Sequence, residues 1–220
     1  MKKALLVSMT IFTITTAYSQ TEKGKKFIGG QISFNGNDNS YLDTINKRED
    51  HQFEIQIMPN YGYFIKDNLA VGANLNFGTS NSSSSDGNIN YPPGTTSKSH
   101  SIIYGIGGFA RYYKKITDNF LFFLNGGISY SYETGRLEQT SYTHPAPPVL
   151  EIQTNNISFG AYPGLVYFIT PKLGIETGLG NLNYNISSSK NKTILNGNKT
   201  VSDNYGINLN TLSFGLSYYF

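Results

Sequence analysis

Cysteine is absent from the sequence, which excludes a disulfide framework, a thiolate metal site and a lipoprotein attachment cysteine. Beyond its amino-terminal segment, the chain also lacks an apolar run of the roughly 20 residues that a helix needs to cross a bilayer. Basic residues form no patch, and the formal charge of +3 falls to nearer +1 without Lys2 and Lys3. The composition therefore gives no argument for a nucleic-acid partner.

The chain is rich in segments that are apolar at every second position, most clearly at its end, over residues 208–220. A bulky face alternates there with a small, polar one, as expected of a strand between lipid and a polar lumen. The alternative for this segment alone is a half-buried edge strand of a soluble sandwich. The bulky face comprises Leu212, Phe214, Leu216, Tyr218 and Phe220, and the other face Thr211, Ser213, Gly215, Ser217 and Tyr219.

The first residues have the pattern of a secretory signal. Lys2 and Lys3 precede an apolar stretch, and Ala17 and Ser19 put small residues where a signal peptidase requires them. We interpret residues 1–19 as a cleaved signal peptide and residues 20–220 as one domain. An uncleaved anchor is the alternative, but the apolar stretch is too short to span a bilayer.

Seven further segments alternate in the same way and are joined by connections of two kinds. The predicted strands are 26–34, 52–65, 69–79, 101–114, 120–134, 154–169 and 173–184. Short turns are predicted at 66–68, 116–119 and 170–172, and long polar loops at 35–51, 80–100, 135–153 and 187–206. Eight strands with alternating short and long connections predict an all-β fold, an eight-stranded antiparallel up-and-down transmembrane β-barrel.

Charged residues are distributed unevenly between the two faces of these strands. The apolar faces are expected to carry no Lys, Arg, Asp or Glu, because a basic residue near the membrane midplane costs about 2–4 kcal/mol. Four charged residues inside the strands fall on the opposite faces and predict a charge cluster in the lumen: Glu54, Arg111, Glu133 and Glu176. They form either a salt-bridged plug, because eight strands enclose just enough space for side chains, or a charge gate in a narrow pore.

Local irregularities give three further expectations. The alternation slips near Asn181, which predicts a β-bulge. Pro59 and Pro163 lack a ladder donor and predict bulges of their own. Three aromatic pairs precede the short turns and predict an interfacial girdle: Tyr63 with Phe64, Tyr112 with Tyr113, and Tyr167 with Phe168.

Catalysis has little support in the sequence. His51, His100 and His144 all fall in or beside predicted loops. His100, Ser101 and Asp86 could be combined as base, nucleophile and orienting group, but neighbours on a strand point to opposite faces. The glycines at 105, 107 and 108 lie inside a strand and open no helix, and the loops lack the fixed spacing of calcium ligands. We predict no catalytic residue, metal site or cofactor.

The carboxy-terminal residues carry a resemblance to a known family. Ser213, Gly215, Tyr218 and Phe220 have the spacing polar-x-Gly-x-x-hydrophobic-x-aromatic, which resembles the barrel-assembly signal of outer-membrane β-barrels. With the signal peptide, strand count and loop asymmetry, residues 27–220 are similar to small porin-like barrels of the OmpA/OmpX-like group.

The resemblance implies a monomer in the outer membrane of a Gram-negative bacterium, reached after secretion through the inner membrane. It also implies barrel-assembly machinery, outer-membrane lipid and lipopolysaccharide as partners. The function expected first is a non-enzymatic structural or surface-interaction role through the long loops. A narrow channel, a lipid-modifying enzyme and a secreted soluble barrel with inverted faces and an apolar ligand are the alternatives.

Overall fold

Eight long strands form the computed structural model, which describes residues 20–43, 46–88, 91–141, 148–193 and 199–220. The predicted signal peptide, residues 1–19, lies outside the described residues. No helix in the described part is long and apolar enough to cross a membrane. The strands are β1 (Lys26–Leu42), β2 (Asn46–Lys66), β3 (Leu69–Asn88), β4 (Tyr91–Thr117), β5 (Phe120–Ser141), β6 (Leu150–Phe168), β7 (Leu173–Asn191) and β8 (Lys199–Tyr219).

Each strand pairs antiparallel with the next in sequence, and β1 pairs with β8 to close the barrel. The predicted fold class is therefore confirmed. One end of the barrel, here called the turn end, carries the connections at residues 67–68, 118–119 and 169–172 together with Phe220. The opposite end, the hairpin end, carries the other four connections.

The four predicted long loops are wrong as loops, because most of their residues belong to paired strands. Ser82 to Ser85, for example, pair with β2 on one side and β4 on the other. These Ser- and Asn-rich stretches bury no apolar core, but a hairpin satisfies their backbone N–H and C=O groups without one. The strands consequently extend well past their apolar portion at the hairpin end.

The side chains face as the alternation predicts. Between the two ends the outward surface is an apolar band, and the charged Arg111 and Glu176 point inward and are 1% exposed. The soluble alternative with inverted faces is thereby excluded. Outward residues of the band, each 44–60% exposed, include Ile28, Phe34, Ile57, Leu75, Phe77, Ile106, Leu124, Ile128, Phe214 and Leu216.

The expectation of no charge on the outward faces is wrong at the strand ends. Lys26 and Lys114 are exposed and alternate with the buried Phe27 and Tyr113, so they lie on the outer surface at the turn end. A lysine at this level extends its ammonium group into the interface, whereas one at mid-height would place it in hydrocarbon.

The three predicted bulges have different outcomes. The register of β7 against β8 shifts between Leu179 and Asn181, where Gly180 has a φ of +71°, which confirms the first. The register of β6 against β7 shifts between Ala161 and Gly164, which confirms the one at Pro163. At Pro59 the prediction is wrong: the β2–β3 ladder is interrupted between residues 57 and 60 but resumes in the same register.

The β1–β8 seam is paired over only part of its length. It runs from Phe27 opposite Tyr219 to Ser33 opposite Ser213. Farther toward the hairpin end, β1 pairs with β2 and β8 pairs with β7. Among the described residues, the edge of β8 that faces β1 has no pairing partner in its outer part, where Tyr205 is 80% exposed and Ile207 74% exposed.

We expect fast amide hydrogen exchange in residues 199–207 of β8. Because β8 has one ladder there, about half of its amides lack a backbone acceptor, and such amides exchange with an opening free energy of about 0 kcal/mol. Residues 80–86 of β3, which pair on both sides, are the matched control. Mass-spectrometric exchange on the folded protein checks this, and equal protection of the two segments would contradict the open seam.

Candidate functional site

An aromatic plug fills the lumen at the turn end. Nearly all of its members are fully buried, although they lie inside a barrel whose outer surface is also apolar. Every strand except β7 contributes a ring or an aliphatic side chain to it. The buried cluster comprises Phe27, Phe64, Ala70, Tyr113, Leu121, Phe123, Val166, Phe168 and Tyr219, with Phe109 and Tyr162 packed against it.

Glycines on the lumen wall make room for the rings of the plug. A Cβ atom at Gly62 would lie 2.2 Å from Cε1 of Phe27, and one at Gly164 would lie 2.2 Å from Cζ of Phe123. A larger residue at either position would have to displace its ring, and displacement of a packed core side chain is costly. The packing of these two rings in the plug therefore depends on glycine at positions 62 and 164.

Arg111 forms the inner surface of the plug, with its guanidinium surrounded by aromatic rings. Its Cζ lies 4.5 Å from the ring centroid of Phe123, 5.3 Å from that of Phe27 and 5.4 Å from that of Phe109. Cation–π contacts of this kind stabilise a desolvated cation by about 2 kcal/mol or more. The rings thus hold the guanidinium in a fixed position across the lumen.

Glu176 on β7 supplies the countercharge. Arg111 Nη1 donates to Glu176 Oε2 at 2.9 Å, and Tyr219 Oη donates to Glu176 Oε1 at 3.1 Å. Arg111 also donates through Nε to Asn125 Oδ1 at 3.1 Å and through Nη1 to the hydroxyl of Tyr113 at 3.3 Å. A buried ion pair is tolerable only when its remaining donors and acceptors are satisfied, and this network satisfies them.

The aromatic pairs that the sequence assigned to an interfacial girdle divide between two surfaces. Tyr63, Tyr112 and Tyr167 are 39–53% exposed and face outward. Their sequence neighbours Phe64, Tyr113 and Phe168 are at most 3% exposed and belong to the plug. The prediction was wrong for the second set, because consecutive strand residues necessarily point to opposite faces.

The segment before β1 adds a further contact at the turn end. Thr21 Oγ1 donates to Asn68 Oδ1 at 2.6 Å, and the backbone N–H of Asn68 donates to the Thr21 carbonyl at 2.7 Å. The backbone N–H of Lys23 donates to Asp67 Oδ1 at 2.8 Å. Residues 21–24 therefore lie along the β2–β3 turn, and Thr21 is 2% exposed.

Polar space begins directly above the plug and is here called the lumen chamber. It comprises a lower cavity of about 360 Å³ beside Arg111 and an upper cavity of about 460 Å³ nearer the hairpin end. The two cavities share Glu54, Gln56, Met58 and Asn74 as lining residues, so they adjoin. Their other lining side chains are mostly Asn, Gln and Ser.

The four charged residues predicted for the lumen separate into two groups. Arg111 and Glu176 pair inside the plug, whereas Glu54 and Glu133 both line the upper cavity. Glu54 accepts a hydrogen bond from Gln56 Nε2. The division of the four residues follows from the height at which each lies along the barrel, and their separation in sequence does not reveal that height.

The residues considered for catalysis do not come together. His100 faces outward and contacts Asn81 Oδ1 at 2.7 Å, while the side chain of Ser101 is buried on the other face. Asp86 lies 3.8 Å from Arg48, and His51 contacts Asp38 at 2.9 Å. His144 is outside the described residues. Within the described residues, no group of three or more His, Cys, Asp or Glu side chains could hold a metal ion.

The residues of the predicted assembly signal lie on the terminal strand. Tyr218 and Phe220 face outward, are 44% and 47% exposed, and have stacked rings 6.1 Å apart. Ser213 and Gly215 fall on the lumen side, opposite Ser33 and Gln31 of β1. The signal residues thus border the paired part of the seam.

Comparison with known proteins gives one family match. A family model described as the outer membrane protein beta-barrel domain matches residues 4–220. No curated protein matches the chain.

Several solved structures resemble the chain at low identity. OprG from Pseudomonas aeruginosa is 16% identical over 91% of this chain and 98% of that one, with a TM-score of 0.49. A major outer membrane protein from Thermus thermophilus is 12% identical over 89% and 99%, with a TM-score of 0.43. The outer membrane protease OmpT from Escherichia coli is 11% identical over 90% and 94%, with a TM-score of 0.40. Likenesses this weak carry no argument about function.

Proposed function

The chain belongs to the outer membrane protein beta-barrel domain family, and we propose that it is a sealed, non-enzymatic barrel whose hairpins contact the surroundings of the cell. Membership of this family indicates the bacterial outer membrane. Barrels of this kind have their short turns on the periplasmic side and their longer connections outside. The turn end is accordingly periplasmic, and the extended hairpins project outward.

The plug is the observation that carries the proposal. Its rings and the Arg111–Glu176 pair occupy the periplasmic end of the lumen, which in an eight-stranded barrel is only wide enough for side chains. Of the two interpretations of the lumen charges, the plug is favoured over the gate. A gate needs a charge that faces a continuous passage, and both partners here are about 1% exposed.

A surface role is supported by the hairpin ends. Their strands continue beyond the apolar band with mostly polar residues, so we infer that they stand clear of the hydrocarbon. The separation of His100 from Ser101 argues against catalysis there. We further propose that the protein is a monomer in contact with lipid and lipopolysaccharide, and that Ser213, Gly215, Tyr218 and Phe220 are recognised by the barrel-assembly machinery.

Conductance in a planar bilayer tests the seal. We expect no single-channel steps from the unaltered protein, because a water-filled path is lacking at the plug. Replacing Arg111 and Glu176 together by alanine opens space without leaving an unpaired charge, and should give small steps. Replacing Arg136 and Glu151, a pair 3.9 Å apart with side chains 72% and 58% exposed, is the matched control and should give none. Regular steps from the unaltered protein would refute the seal.

A further inference from the structure

The lumen chamber has an unbalanced charge. Arg111 is matched by Glu176, and the remaining charged residues that line the two cavities are Glu54 and Glu133. In the described part of the chain, no salt bridge joins either carboxylate to a basic side chain. The chamber is therefore a polar space with two uncompensated negative charges, and it attracts cations.

Buried amides of the lower cavity point to a ligand in addition to these charges. Gln31 is 6% exposed and Asn60 is 8% exposed, and both line the lower cavity. Nε2 of Gln31 and Oδ1 of Asn60 have no hydrogen-bond partner in the protein, and neither does Oδ1 of Asn181 in the same cavity. A buried acceptor is costly when unpaired, so a ligand that donates hydrogen bonds to the amide oxygens of Asn60 and Asn181 would be stabilised there.

The two carboxylates lie on different walls of the barrel. Glu54 is on β2 and Glu133 on β5, three strands apart in a ring of eight, and both line the upper cavity. No group of three or more His, Cys, Asp or Glu side chains occurs in the described residues, so the chamber lacks the usual ligand set of a transition-metal site. A cation with two charged ends suits two carboxylates on different walls better, because it carries one positive charge for each of them.

From these features we propose that the lumen chamber binds a short-chain aliphatic diamine that enters from the outer side. An ammonium group donates three hydrogen bonds, which suits a carboxylate surrounded by amide and hydroxyl oxygens. Met58 lines both cavities and offers a flexible apolar contact for the methylene chain. Retention of the ligand rests on the proposed seal, because the plug would close the periplasmic end, but binding of the diamine does not.

Calorimetric titration of the folded protein in detergent micelles tests this with three probes that share a four-carbon chain. We expect 1,4-diaminobutane to bind at least about tenfold more tightly than 1-aminobutane, and 1,4-butanediol not to bind measurably. This comparison uses only the unaltered protein, and it separates the effect of the ligand's charge from that of its size. Absence of diamine binding, or equal binding of the diol, would overturn the proposal.

Three conservative variants locate the binding. Glu54→Gln and Glu133→Gln should each lower the affinity for the diamine to that for the monoamine. Glu138→Gln, at the groove lined by Lys98 and Arg136, is the matched control and should leave the affinity unchanged. Binding that survives loss of both lumen carboxylates, or that is lost in Glu138→Gln, would place the diamine elsewhere and refute the chamber.

The result of the diamine titration does not depend on whether the barrel is sealed. Calorimetry measures equilibrium binding, whereas conductance measures a continuous path. A conducting barrel that still binds the diamine through Glu54 and Glu133 would refute the seal alone. A sealed barrel that binds no diamine would refute the chamber alone.

Discussion

Removing one partner of the Arg111–Glu176 pair is expected to destabilise the folded barrel by about 3–5 kcal/mol. In Arg111→Met, Glu176 keeps the hydroxyl of Tyr219 but loses its countercharge in a site where it is 1% exposed. In Glu176→Met, the guanidinium keeps its rings but loses its only carboxylate partner among the described residues. Both changes leave a buried charge without compensation, which is the costly arrangement.

The double variant separates the cost of an unpaired charge from the contribution of the pair. Replacing both residues by methionine removes both charges and keeps similar volume, so most of the lost stability should return; such replacements are often neutral or stabilising, by about 1–4 kcal/mol. Urea unfolding in lipid vesicles, followed by circular dichroism or gel migration, measures the four proteins. The exposed pair Arg136–Glu151 provides the control, where single changes should alter stability by at most about 1 kcal/mol.

Equal loss in the double and single variants would contradict this account. It would mean that the plug depends on the shapes of the two side chains and not on their charges. The aromatic contacts of Arg111 would then carry the stabilisation, since Phe123 is its nearest ring at 4.5 Å.

An arginine on the outward face is expected to destabilise the membrane-inserted barrel by about 2–4 kcal/mol near the midplane. Ile128 is suited to the test, because it lies at mid-height on β5 between Leu124 and Tyr132 and is 51% exposed. Ile128→Arg would place a guanidinium in hydrocarbon, where it cannot be hydrated without deforming the bilayer. Unfolding in lipid vesicles measures the change.

The adjacent residue gives the matched control. Ser129 points into the upper cavity, which also holds the carboxylates of Glu54 and Glu133. Ser129→Arg therefore introduces the same charge one residue away, but into polar space with acidic partners, and should cost clearly less than Ile128→Arg. If Ile128→Arg were harmless, or if Ser129→Arg were the more damaging, the assignment of the outward face to lipid would be wrong.

The plug, the two lumen carboxylates and the unpaired part of the seam lie at different heights along the barrel axis, and their order bears on both proposals. The plug lies at the turn end, the two carboxylates lie nearer the hairpin end, and the unpaired part of the β1–β8 seam lies farther toward that end. The lumen is thus filled by the plug at the turn end. A barrel so arranged presents its hairpins and its chamber to the same side of the membrane.

The sequence could predict those parts of the fold that follow from the alternation of apolar and polar residues with a period of two. The eight strands, the outward face of each and the slip near Asn181 all follow from it. The extent of the strands did not follow, because hairpin pairing satisfies the backbone of Ser- and Asn-rich stretches that contain no apolar alternation. Stretches predicted as loops therefore turned out to be strand.

A salt-bridged plug was among the predictions from the sequence, but its aromatic part was missed, for a different reason. Phe64, Tyr113 and Phe168 were grouped with their outward neighbours as girdle residues, although the alternation already assigned them to the lumen. The inward bulky residues Phe27, Phe123 and Tyr219 fit the same signal. A search for aromatic residues on the polar faces near the short turns would have found the plug.

By itself the sequence determined the face of each side chain, because alternation is a local property of the extended backbone. The tertiary structure alone decided which lumen residues meet. Arg111 and Glu176 are 65 residues apart and on strands that are not neighbours, and they come together only because closure of the barrel brings β4 and β7 across one lumen at one height. Glu54 and Glu133 share the same face but lie at another height, so the same closure leaves them in the chamber.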